Sequence, residues 1–131
     1  RWGLQNVYLL GRRNRQELAR LYRACDGLVL PSNGEGYPLV VQEALASGLS
    51  VYCGLDSAAA DPGAAPFLHG VAVDPINPEV TAHRFRDAIA ARPPSINVNA
   101  AAYASARYDW DANAAALEAM ISSTHTRQPD N

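Results

Sequence analysis

The stretch Pro31–Gly48, PSNGEGYPLVVQEALASG, decides how the rest of the chain is read. The apolar run Leu28–Leu30 stops at Pro31, a loop broken by Gly34 and Gly36 follows, and an apolar segment then runs to Gly48. The order is strand, loop, helix. Pro38 suits the first helical position, because its fixed φ fits there and its missing N–H would have no partner anyway. Two carboxylates stand out, Glu35 in the loop and Glu43 on the helix. Glu43 lies five residues past Pro38, about 7.5 Å along the axis at about 1.5 Å per residue. Between the two carboxylates sits a helix N-terminus, whose free N–H groups and partial positive charge make a ready site for phosphate. Gly34 and Gly36 allow a ligand to approach the backbone closely. Glu43 follows Leu39 by one turn, among Val40, Val41, Ala44 and Leu45, which places it at the edge of a cleft. An anion site with a hydrogen-bond acceptor on each side suits a nucleotide-diphospho-sugar, with the sugar at one end and the ribose at the other.

Working outward, Val7–Leu10 is an apolar run closed by Gly11 and reads as a strand. Asn14 and Glu17 have the spacing of a capping box. Leu18, Leu21, Tyr22 and Cys25 then predict an amphipathic helix from Arg15 to Cys25. On the other side, Gly48 is placed to end the central helix, and Ser50–Cys53 reads as a buried strand. Gly54–His69 is rich in Ala, Asp, Gly and Pro and reads as a long, mobile loop. Val71–Val73 reads as a further strand, closed by Asp74-Pro75. Asn77-Pro78 opens a helix with Ala82, Phe85, Ala88 and Ile89 on one face, and Pro93-Pro94 breaks it. Asn97 to Arg107 predicts another helix, with Ala100, Tyr103 and Ala104 inward. Asp111 is placed to cap a last helix that buries Ala114, Leu117, Met120 and Ile121. Short apolar strands alternating with helices imply a parallel sheet in a layered α/β domain. Ligands bind beyond the carboxyl ends of strands in such sheets. Gly11–Asn14, Pro31–Tyr37 and Gly54 onward would gather at that edge. Residues 1–121 read as one domain and 122–131 as a polar, frayed tail.

Length and composition narrow the field. At 131 residues the chain can bury one core and not two. Its 48% apolar and 18% charged residues are those of a globular domain. A net charge of −2 and no basic stripe leave nucleic-acid binding without support. No apolar run approaches the roughly 20 residues that span a bilayer, and the N-terminal apolar stretch is too short for a signal peptide. Cys25 and Cys53 lack CxxC or zinc spacing and read as small buried thiols in a reducing compartment. His69, His83 and His125 share no metal spacing, and no Ser-His-Asp or Cys-His arrangement is suggested. No G-x-G-x-x-G or G-x-x-x-x-G-K-[ST] is present, which weakens hydride-transfer and P-loop readings.

The run E-G-Y-P-L-V-V-Q-E, preceded by L-V-L-P-S and followed by A-L-A-S-G-L-S-V, resembles the signature of retaining GT-B glycosyltransferases, especially glycosyltransferase family 4. That signature has two Glu separated by seven residues in a strand–loop–helix–strand setting. The likeness extends more faintly over Val7 to Ile121. It implies an α/β fold with a Rossmann-like parallel sheet and flanking helices, as the incomplete C-terminal, donor-binding domain of a GT-B fold. It implies that Glu35, as the catalytic-end carboxylate, meets hydroxyls of the donor sugar, and that Glu43 accepts from the ribose. The turn Gly34, Gly36, Tyr37, Pro38, Leu39 and Val40 would line the sugar and diphosphate, with Pro38 unable to donate. Gly11, Arg12 and Arg13 would border the nucleobase. Charge on the leaving diphosphate would be relieved by basic side chains and helix amides rather than a metal. No cofactor is implied, since the nucleotide-sugar is a substrate.

The chain departs from this pattern in three places. Relatives carry a shorter Gly-rich turn with a proline, a Glu and a β-branched pair, and GLDSAAADPGAAPFLHG lacks that Glu. The G-R…K-G unit that supplies the basic residues is absent, as is the N-terminal acceptor-binding domain. The expectation is therefore a piece of a longer protein, cytoplasmic, holding part of a donor site and inactive alone. Its missing part admits peripheral membrane association. The implied strand order 3-2-1-4-5-6 would leave two strands missing between Val7–Leu10 and Leu28–Leu30, a gap of about 14 Å at about 4.8 Å per strand step. Those two segments would then pair directly, or the first would hang at an unsupported edge. Asp109-Trp110-Asp111 matches a D-x-D metal motif, but the Trp fits the start of the last helix in GT-B relatives. A GT-B epimerase or phosphorylase would want its own His or cofactor signature. The reading from another class is a non-catalytic nucleotide-sugar-binding or interaction module that works with a partner chain.

Overall fold

The structure, a computed structural model, describes residues 4–125. Helix α1 (Arg15–Ala24) leads into β1 (Gly27–Leu30), α2 (Leu39–Ala46) and β2 (Ser50–Gly54). A short helix α3 (Leu55–Ala59) and a 3-10 helix (Pro62–Phe67) cross over to β3 (Leu68–Val71). Helices α4 (Pro78–Ala91), α5 (Val98–Arg107) and α6 (Trp110–His125) complete the order. The three strands form one parallel sheet in the order β1-β2-β3, with Leu28 opposite Val51 and Val51 opposite Leu68. This is a Rossmann-like α/β arrangement.

Every residue of β2 is buried, as a central parallel strand covered on both faces should be. Its alternation divides the core. Val51 and Cys53 join Val41, Ala44 and Leu45 of α2 and Ala100 and Ala104 of α5 on one face. Tyr52 joins Val71 and Phe85 on the other, under α4. Burial raises the Cys53 thiol to about 11. Helix α2 ends in a Schellman motif: Gly48 takes φ +76°, its N–H reaches the Leu45 carbonyl at 2.8 Å, and the Leu49 N–H reaches Ala44 at 3.0 Å. The capping box of α1 is complete, with Asn14 and Glu17 each accepting the other's backbone N–H at 3.0 Å.

Several expectations are corrected. Val7–Leu10 is not a strand: the sheet formed by the described residues has no fourth member to pair with it, and Leu9 stays 97% exposed. A short apolar run without a neighbour for its N–H and C=O groups stays outside a sheet. It therefore neither pairs with β1 nor forms an edge strand. Gly54–His69 is not an irregular loop: Gly54 ends β2, and α3, the 3-10 helix and the first residues of β3 follow, with β3 beginning at Leu68 rather than Val71. Pro38 is the N-cap, with ψ 141°, and Leu39 opens α2. Cys25 is exposed, because it follows the end of α1. Helix α6 does not bury its apolar face, and Leu117 is 58% exposed. A sheet of three strands is narrow; α2 and α5 pack on one face, α4 packs on the other against β2 and β3, and α6 joins neither core cluster. Its cap is Asp109, whose carboxylate accepts the Ala112 N–H at 2.8 Å, not Asp111. Residues 122–125 continue α6, and the remainder of the expected tail, 126–131, lies outside the described residues.

Candidate functional site: the turn before α2

The turn Pro31–Pro38 leaves the carboxyl end of β1 and crosses beside the end of β2. The crossing is close: a Cβ on Gly54 would collide with the Ser32 carbonyl oxygen. Ser32 then turns its hydroxyl onto Glu35, donating to Oε2 at 3.0 Å. Gly34 takes φ +75°, a left-handed conformation that L side chains adopt only with strain. Its N–H donates to Asp56 Oδ2 of α3 at 3.3 Å. Glu35 and Gly36 are exposed, and nothing lies within 4 Å of a Cβ built on Gly36. Helix α2 starts at Leu39 with no side chain capping it, since Pro38 has none to offer. Val41 N–H returns to the Pro38 carbonyl at 3.1 Å. The amides of Gly36, Tyr37, Leu39 and Val40 thus form the end of the turn and the start of the helix, where backbone donors outnumber intrahelical acceptors.

Glu43 lies one turn along α2, exposed, and accepts the Tyr22 hydroxyl of α1 on Oε2 at 3.1 Å. Burial and the neighbouring Glu43 carboxylate hold the Tyr22 hydroxyl up at about 12, so it remains a donor. Glu43 lines a cleft of about 390 Å³ between α2, the end of α5 and Trp110, shared with Arg15, Leu39, Gln42 and Tyr108. Glu35 is not among the residues lining it. Gly11 and Arg12 are exposed, and Arg13 pairs with Glu17 of α1 at 3.7 Å. Among the described residues these three make no hydrogen bond to the turn.

A cluster not anticipated from the sequence braces the turn from below. Asp61, at the start of the 3-10 helix, has a side chain only 12% exposed. It accepts Tyr103 Oη at 2.9 Å, Tyr108 Oη at 2.7 Å and the Gly63 N–H at 3.1 Å. Arg107 Nε stands 4.0 Å away. Tyr37 Oη lies 2.7 Å from Tyr108 Oη. Tyr108 has one hydroxyl proton and directs it to Asp61, so Tyr37 is the donor in its own contact. Burial pushes the Asp61 carboxyl up, but hydrogen bonds from Tyr108, Tyr103 and Gly63 with the Arg107 charge outweigh it and hold it below the usual range. Burial, with these partners, raises the Tyr108 hydroxyl. The Asp-Pro-Gly turn signal at Asp61 is visible in the sequence, but its tyrosines lie more than forty positions later.

The imidazole of His69 stacks on Tyr52, with ring centroids 4.7 Å apart, and its buried Nδ1 has no hydrogen-bond partner. Burial, and then the Arg92 charge, lower its proton affinity. The unfolded chain therefore binds protons that the folded chain refuses, first at His69 below about pH 6.5 and then at Asp61 below about pH 4. Both contributions are present above those values and are lost as pH falls. Urea unfolding at a series of pH values should show stability falling below about pH 6.5, with that first decline absent in His69→Phe. No group of three or more His, Cys, Asp or Glu among the described residues is placed to hold a metal ion. No described helix is long and apolar enough to cross a membrane.

Comparison with curated proteins and with solved structures finds no match to either. The family of glycosyl transferases group 1 matches residues 3–107, a span that contains the turn, α2 and the crossover with Asp61. A three-stranded sheet with these helices corresponds to a small part of a GT-B glycosyltransferase domain. With most of its length matched, and with the Glu35–Glu43 turn at the carboxyl end of a parallel strand, the chain belongs to the glycosyl transferases group 1 family.

Proposed function

We propose that the chain is the donor-binding part of a retaining, family-4-type hexosyltransferase, taking a nucleotide-diphospho-sugar without a cofactor or resident metal. The observation that carries this reading is the uncapped N-terminus of α2 between Glu35 and Glu43. Leu39 and Val40 N–H, with those of Gly36 and Tyr37, would receive the diphosphate. Glu43 keeps Oε1 for a ribose hydroxyl while Tyr22 occupies Oε2. Glu35, oriented by Ser32, would meet the sugar hydroxyls at the reacting end. Gly11, Arg12 and Arg13 would approach the base only in company with further structure. Charge relief on the leaving diphosphate would also draw on basic side chains that these amides do not replace, so transfer would belong to a longer protein with an acceptor domain, and this chain alone would be inactive. The missing Glu in the crossover favours a second reading, a nucleotide-sugar-binding module that acts with a partner chain.

Calorimetric titration of the chain with UDP, GDP and ADP sugar conjugates tests the proposal. One nucleotide should bind saturably. Glu43→Ala should weaken it by roughly tenfold to a hundredfold, the scale of a hydrogen bond to a charged group. If none binds, here or with the full-length protein, the donor reading fails. Binding by a full-length protein that transfers no sugar would select the module.

A further inference from the structure

The crossover between β2 and β3 holds the signature turn at two points. Asp56 takes the Gly34 N–H on one side of Glu35. On the other side, Tyr37 donates to Tyr108, and Tyr108 donates to Asp61. Tyr37 immediately precedes the N-cap Pro38 and is half-buried against the core. Its ring lies 5.6 Å from that of Tyr108, and Tyr103 meets Tyr108 edge-on at 5.9 Å. The rings therefore fill space whether or not the hydroxyls are present, whereas the direction of Tyr37 depends on the relay to a carboxylate. That carboxylate is mostly buried and fully engaged, so it acts as a fixed point. Hydrogen-bond chains ending on a charge strengthen one another in such surroundings.

We propose that Asp61 and Tyr108 are positioning residues for the donor site: by fixing Tyr37 through its hydroxyl, they hold the amides of Gly36, Tyr37, Leu39 and Val40 in the arrangement that receives a diphosphate. The binding half of this inference rests on the donor-site reading above; the structural half does not. Asp61 touches no substrate. Its work is to keep the turn formed before the ligand arrives, so that ordering is not charged against binding. Gly63 shows how tightly the cluster is built, since a Cβ there would collide with the Tyr103 hydroxyl.

The test uses the full chain with Tyr108→Phe, which keeps the ring and removes the relay, and Asp61→Asn, which keeps the shape and removes the charge. Tyr37→Phe reports the same relay if Asp61→Asn does not fold. Tyr52→Phe is the control: it too deletes a hydrogen-bonded tyrosine hydroxyl, one that donates to the Arg92 carbonyl on the α4 face of the sheet. Two readouts are taken, amide chemical shifts without ligand and titration with the nucleotide-sugar that binds. Tyr108→Phe and Asp61→Asn should shift the amides from Gly34 to Val40 while leaving those of α4 in place. They should weaken binding about tenfold, and Tyr52→Phe should not, even at a comparable loss of stability. Unmoved turn amides overturn the inference. So does unchanged affinity in both variants when Glu43→Ala weakens binding, and the donor reading then survives alone. Absence of binding by both the unsubstituted chain and the full-length protein overturns the donor reading and the binding half together, and the amide shifts decide the structural half by themselves.

Discussion

Replacing Leu45 by Ala should remove about 4 kcal/mol of folding stability and lower the thermal midpoint by roughly 15 °C. Leu45 has no exposed surface and sits where α2 meets both β2 and α5. Truncation deletes the buried methyl and methylene groups and leaves a cavity in a close-packed cluster that includes the small residues Ala44, Ala100 and Ala104. Small residues have no side chain with which to fill a void. A loss of this size is a large share of the about 5–15 kcal/mol that holds a domain together. It also loosens the helix that carries Glu43 and the uncapped amides. Leu39→Ala is the internal control. Leu39 opens the same helix but is 59% exposed, and its replacement should stay within about 0.5 kcal/mol of the parent. Chemical denaturation of both variants measures the difference.

Gly54→Ala should cost about 3 kcal/mol and displace the signature turn. Gly54 ends β2, and the Ser32 carbonyl oxygen passes directly over it, so a methyl group there meets backbone rather than a side chain that could rotate away. The chain from Pro31 onward must lift. Lifting it carries off Ser32, whose hydroxyl holds Glu35, and strains the Gly34 contact with Asp56. The effect should therefore appear in both denaturation and nucleotide-sugar titration. Gly36→Ala, where a new Cβ has open space and no positive φ to strain, should leave stability within about 0.5 kcal/mol. Equal stability of Gly54→Ala and the parent would show that the Ser32 carbonyl can move away from Gly54 without cost.

The strand–loop–helix unit around Glu35 and Glu43 was legible because each boundary has a local chemical cause. Pro31 stops a strand, Gly48 supplies the left-handed turn after α2, and Asn14 with Glu17 caps α1. Parallel pairing followed from short apolar strands separated by helices. The errors share a different cause. Val7–Leu10 has the composition of a strand, but a strand is a relation between segments, and no described segment pairs with it. The face of α6 has the spacing of a buried helix, but burial needs a surface to cover, and α6 joins neither core cluster. The Gly54–His69 segment looked irregular because Pro and Gly punctuate it. Contacts with α5 and β3 nonetheless wind it into two short helices.

The candidate site divides along the same line. By itself the sequence determined the two carboxylates, their spacing and the helix start between them, because these depend on neighbours within a few residues. Only the tertiary structure decided what holds that turn in place. Tyr22 reaches Glu43 across 21 positions, Asp56 reaches Gly34 across 22, and Tyr108 reaches Asp61 across 47. Spacing along a chain carries no signal for such pairs. They meet because a parallel sheet returns each crossover to the same edge, and because a buried carboxylate must find its donors wherever folding brings them.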